Sequence, residues 1–211
     1  MTEYAIGDIH SQEKGSGARA NQGKPDWSLM PLDQVATLHH LERLGVAKIT
    51  LEDLFKAIAL FQQKGTKEQA TVVLSHTVDY MRRAKAEEDA RTLEEVLLDV
   101  LEVWEYGKRV YAAFNWMKGM PWSSVIACYV RHLLCLYRGE IYDQESGRHH
   151  GAHMICNAMM LVHFTEYYQS GNDLPTKWFQ RETEHGNILD SGRPKSSDMS
   201  GLQSTDAETP G

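Results

Sequence analysis

The chain predicts an all-α fold, a helical bundle, and three observations carry that expectation. Apolar residues recur at three- and four-residue spacing over long stretches, helix-start residues precede those stretches, and no alternating run with a hairpin turn interrupts them. Leu51, Leu54, Phe55, Ile58 and Phe61 follow helical spacing behind Thr50, with Gly65 as the stop. Thr66 and Gln69 have the spacing of a capping box and open a helix to about Arg83. Thr92 and Glu95 repeat that signal, opening a helix to about Gly107 with Leu93, Val96, Leu97, Val100, Leu101 and Trp104 on its buried side. Pro121 starts a helix from about Trp122 to Arg138, which Gly139 ends. The last long helix runs from about His150 to Gln169.

With 211 residues the chain is long enough for one domain with a real core. A net charge of -7 disfavours a nucleic-acid surface, which needs clustered Lys and Arg. An acidic protein still takes phosphates when a divalent metal lies between its carboxylates and the ligand. No basic segment followed by an apolar run opens the chain, and no stretch nears a membrane span, so the expected location is the cytoplasm. Cys128, Cys135 and Cys156 sit in apolar helical patterns without C-x-x-C spacing and read as reduced core thiols. Residues 1–22 are Gly-rich and polar and read as flexible; 23–185 form the domain, with a mostly helical insertion at about 33–90; 186–211 read as a disordered tail.

The chemistry-bearing residues fall in two places. On the helix that ends near Gly107, Glu95, Asp99, Glu102 and Glu105 are three or four residues apart, so their side chains neighbour one another. Such like charges repel unless a hard cation such as Mg²⁺ or Mn²⁺ relieves them, or unless the face is simply solvated. Lys108 and Arg109 follow, which suits bound phosphates and equally suits the helix dipole. In "ESGRHHGAHMICNAMMLVHF", His150, His153 and Asn157 share one face of the last helix. Burying such groups without partners costs roughly 1–3 kcal/mol each, so either a function or a solvated first turn accounts for them. His132 lies on an apolar face, where a lone histidine is more often a satisfied core residue. Glu140, Asp143 and Glu145 occupy the loop between these helices.

Taken in order, "GKPDWSLMP", "EVWEYGKRVYAAFNWMKGMPW", "RHLLCLYRGEIYDQESG" and "HGAHMICNA" resemble phage and bacterial dATP/dGTP diphosphohydrolase-like proteins, grouped with the all-α nucleotide pyrophosphohydrolases of the MazG type. The resemblance covers Gly23 to Pro31 and about Leu98 to Tyr168. It implies an oligomerising helical bundle, a homodimer or tetramer, that cuts a deoxynucleoside triphosphate between its α- and β-phosphates with Mg²⁺ or Mn²⁺. By motif, Glu102 and Glu105 match the ExxE metal-binding pair, with Asp143 as a further metal ligand. Lys108 and Lys24 would face the substrate, Asn115 and Trp116 its base or sugar, and His132, His150, His153 and Asn157 would complete the site. The usual second acidic pair, ExxD, has no counterpart, since no Asp or Glu occurs between Val110 and Gly139. The implied function is metal-dependent hydrolysis of nucleoside triphosphates, purine deoxynucleotides by analogy. A nucleotide-sequestering protein that has lost hydrolysis, a helical interaction module built on 33–90, and a histidine-rich phosphohydrolase of another helical class stand as alternatives.

Overall fold

The computed structural model describes residues 24–38, 48–83 and 90–176. The expectations for 1–22 and 186–211 lie outside these. A first compact unit ends at Leu174; of a second, only Pro175 and Thr176 are among the described residues.

Six α-helices occur among the described residues: α1 Leu32–Leu38, α2 Leu51–Lys64, α3 Lys67–Arg83, α4 Leu93–Val110, α5 Trp122–Tyr137 and α6 His150–Tyr167. The expected all-α bundle is what forms. Short 3-10 turns at Trp27–Leu29, Asn115–Lys118 and Gln169–Gly171 connect them, and the one β-bridge among the described residues pairs Tyr142 with His149. Thr50 with Asp53 and Thr92 with Glu95 make reciprocal capping boxes, so the first free N–H groups of α2 and α4 are satisfied locally. At α3 the Thr66 hydroxyl instead meets the Gln69 side-chain oxygen. Gly65 closes α2 in the left-handed conformation (φ 63°), as its stop signal predicts.

α6 is the hub, packed against α5, α3 and α4, while α2 lies on α3 and α5. Its composition explains the position: Ala152, Met154, Ile155, Ala158, Met159, Leu161, Val162 and Phe164 are buried over most of its circumference, and the stripe of His153, Asn157, Met160 and His163 is less covered. Close approach is needed at Gly151, where an added Cβ would stand 2.2 Å from Met81 Sδ of α3. The segment read as an insertion is part of this core, because α2 and α3 contribute Leu54, Ile58, Phe61, Val73, Leu74, Val78 and Met81 to it. Trp122 is fully buried, stacks on Phe61 (6.0 Å) and donates its indole N–H to the Tyr168 carbonyl (3.1 Å). The Tyr168 ring fills the space beside Gly119 (φ 83°), where a side chain would meet ring carbons at 2.6 Å. Of the three thiols only Cys156 is buried; Cys128 and Cys135 are half-buried, so two of the expected core cysteines sit at the rim of the core.

Candidate functional site

α4 carries the acidic residues, and each is engaged by a neighbour. Glu95 belongs to the capping box, Asp99 pairs with Arg91 (2.9 Å), and Glu102 pairs with Arg148 (2.5 Å) from the loop before α6. Glu105 accepts the Asp26 backbone N–H at 3.4 Å, and Lys108 bonds the Asp26 carboxylate at 3.0 Å. The Ser28 hydroxyl and then Lys108 hold Asp26 below the usual carboxylate value. Thus the repulsion expected along this face is relieved by a helix cap, two arginines and an N-terminal strap. Glu102 and Glu105 still face one cleft of about 450 Å³, which Lys24, Pro25, Leu98 and Leu101 complete.

One turn round the same helix lies a second cavity, of about 420 Å³, walled by Val103, Trp104, Tyr106, Phe114, Trp116, Met120 and Met160. Lys108, Asn115 and His153 bring polar groups to this apolar wall. The rings are well packed: Trp104 lies 5.2 Å from Trp116, whose other side meets His163 edge-on at 4.9 Å. The Trp104 indole N–H is buried and has no hydrogen-bond partner among the described residues. An unmade bond of this kind costs about 1–3 kcal/mol, which a ligand acceptor would recover.

The third feature is an imidazole cluster at the start of α6. His132, on α5, places its Nδ1 at 2.8 Å from Nδ1 of His150, and its ring stacks on His153 with centroids 4.5 Å apart. The Ser146 hydroxyl bonds His153 Nε2 (2.7 Å) and Asp143 Oδ2 (2.8 Å), and the Ser146 N–H donates to the same oxygen. Burial, reinforced by its two imidazole neighbours, lowers His132 to about 3, so the ring is neutral. Burial also lowers His150 and His153. For Asp143 burial acts upward, but the two Ser146 bonds outweigh it and hold the carboxyl below its ordinary value. Donor atoms of His132, Asp143 and His150 all lie within 4.8 Å of one another, and those of Cys135, Glu140 and His150 do likewise. Both groups have the donor chemistry of a divalent-metal site.

The sequence-predicted residues therefore sort into three sets. Glu102, Glu105 and Lys24 share the carboxylate cleft; Lys108, Asn115, Trp116 and His153 line the aromatic cavity; His132, His150, His153 and Asp143 form the cluster. Asp143 joins the histidines rather than Glu102 and Glu105 in the donor groups found among the described residues. Asn157 turns back on its own helix, donating to the His153 carbonyl at 2.8 Å. Residues that sequence reasoning did not single out are Arg148, Asp26, Ser146 and the Trp104 N–H. Ser146 had a readable signal, since Asp143 three residues earlier is the spacing of a side-chain-closed turn.

These features define a class: an all-α domain with a cavity walled by aromatic side chains, flanked by carboxylates, lysines and imidazoles. Residues 76–173 match the family model described as dATP/dGTP diphosphohydrolase, N-terminal. That segment is similar to the dATP/dGTP diphosphohydrolase family, the one its motifs resemble. The matched segment begins in α3, so residues 76–90 of the segment read as an insertion fall within the family's own extent. Among curated proteins and among solved structures, nothing matches the chain.

Proposed function

We propose that the protein hydrolyses deoxynucleoside triphosphates, purine ones by the family's name, to a monophosphate and pyrophosphate. One observation carries this reading: the last turns of α4 line both the aromatic cavity and the carboxylate cleft, so one ligand can lay a base in the first and phosphates along the second. Trp104 and Trp116 supply flat surface for the base, and the unpaired Trp104 N–H and Asn115 supply its polar contacts. Lys24 in the cleft, and Lys108 at the cavity once Asp26 gives it up, would neutralise phosphate oxygens. Glu102 and Glu105 offer the hard oxygen donors that Mg²⁺ or Mn²⁺ prefers, and are the residues that would hold such an ion. A divalent cation there would neutralise the triphosphate and acidify the attacking water. Arg148, which now holds Glu102, sets how readily that carboxylate is released to the ion.

No helix among the described residues is long and apolar enough to cross a membrane. Action in the cytoplasm and assembly into a homo-oligomer belong to the same proposal. Exposed Leu134, Tyr137, Ile141 and Tyr142 near the end of α5 support the latter.

A panel of each dNTP and NTP against Mg²⁺ and Mn²⁺, with products identified, tests the reading. Monophosphate plus pyrophosphate is the expected pair. Tight recovery of intact nucleotide from denatured protein, with no turnover under any metal, would instead establish the sequestering alternative.

A further inference from the structure

The geometry points to a metal centre apart from the carboxylate cleft: His132, His150 and Asp143 form a two-imidazole, one-carboxylate site for a divalent first-row transition ion. Two donors held at 2.0–2.2 Å on one ion stand roughly 2.8–3.6 Å apart for angles between square and tetrahedral. The His132 and His150 Nδ1 atoms are separated by 2.8 Å, already at the lower edge of that range. Asp143 presents a carboxylate oxygen within 4.8 Å of both, and its two Ser146 bonds fall on Oδ2, so Ser146 does not engage Oδ1. Without an ion, one imidazole donates its N–H to the other. With an ion, both rings carry their proton on Nε2 and turn Nδ1 lone pairs to the metal, a tautomer change that releases no proton.

Charge favours the same occupant. Asp143 brings a carboxylate into this half-buried group of imidazoles, and its hydrogen bonds come from Ser146 rather than from a cation. The nearby cations are committed elsewhere: Arg138 to Glu140 and Cys135, Arg131 to the Cys128 sulfur. That commitment also decides between the two donor groups, because Arg138 already occupies both Cys135 and Glu140. Two nitrogens and one oxygen select ions from Mn²⁺ to Zn²⁺ over Mg²⁺, whose preference is for oxygen alone. Ser146 and His153 act as supports: Ser146 fixes the carboxylate, and His153 stacks on His132 while lining the aromatic cavity.

The readout is bound metal rather than turnover, so the result is independent of the hydrolytic reading. Full-length protein stripped with EDTA is titrated with Co²⁺, followed by its visible absorption, and with Zn²⁺, followed by metal content after gel filtration. Excess Mg²⁺ is present throughout. Stoichiometric uptake is expected, and Asp143→Asn, a near-isosteric change, should lower it at least about tenfold. His132→Gln should do the same, with far-UV circular dichroism of the metal-free variants reporting that each is folded. Glu105→Gln should keep full uptake. No stoichiometric uptake by the wild type, or uptake that survives both Asp143→Asn and His132→Gln, would overturn the centre. So would uptake lost in Glu105→Gln alone.

Discussion

The carboxylates of α4 and the imidazoles at the head of α6 are both clusters of potential ligands, yet they are built on opposite principles. Glu102 is half-exposed and ion-paired with Arg148, and Glu105 accepts a backbone N–H, so that face is stable as it stands. His132, His150 and His153 are gathered where burial lowers the basicity of each, and are bonded mainly to one another and to Ser146. The first set must exchange a partner to take an ion. The second already holds two ring nitrogens at ligand spacing and has only the bond between them to give up. Hard-ion chemistry suits the one and a softer, longer-lived ion the other.

The largest effect that separates the two regions comes from Glu105→Gln or Glu102→Gln. Each should slow pyrophosphate release by on the order of 10²–10³-fold, the loss typical of removing a preorganised electrostatic group, with the metal bound at the imidazoles unchanged. A smaller effect sharpens the role of the cavity between them. Trp104→Phe keeps an aromatic face but removes the pyrrole ring with its buried, unpaired N–H, so denaturant unfolding should show a loss of about 1 kcal/mol from the space vacated. Affinity for a deoxynucleoside monophosphate, measured calorimetrically, should fall about five- to tenfold, the value of one hydrogen bond of about 1–1.4 kcal/mol. Unchanged affinity would mean that the indole only fills space. The smallest effect tests the exchange of partners itself. Arg148→Gln releases Glu102 and should lower the Mg²⁺ concentration for half-maximal turnover by at most about fivefold, the limit set by an exposed ion pair of about 1 kcal/mol. A rise instead would mean that Arg148 serves the phosphates.

The fold was legible because helical spacing and caps are local signals. Thr50, Thr92 and Gly65 act where the sequence places them, and the boundaries of α4, α5 and α6 shift by only a few residues from expectation. The pairing of His150 with His153 was legible for the same reason, as neighbours on one helix face. His132 was not. On its own helix it is a lone polar residue among apolar ones, and only the packing of α5 on α6 brings it between the other two rings. The same limit applies to Arg148 and Glu102, which lie on separate elements and meet only in the fold. Asn157 shows the converse, since its helical spacing is right but its amide is satisfied by its own backbone.

Gly119 and Tyr168 join distant parts of the chain in a way that bears on ligand capture. The tyrosine ring lies against the glycine that ends the Asn115–Lys118 turn, and the Tyr168 carbonyl receives the Trp122 indole N–H. One wall of the aromatic cavity is therefore geared to the exit of the last helix. Whatever free energy couples them is the same read from either side. A nucleotide seated against Trp116, as proposed, would make fraying after Tyr167 rarer, and a clamped helix exit would by the same measure slow its release.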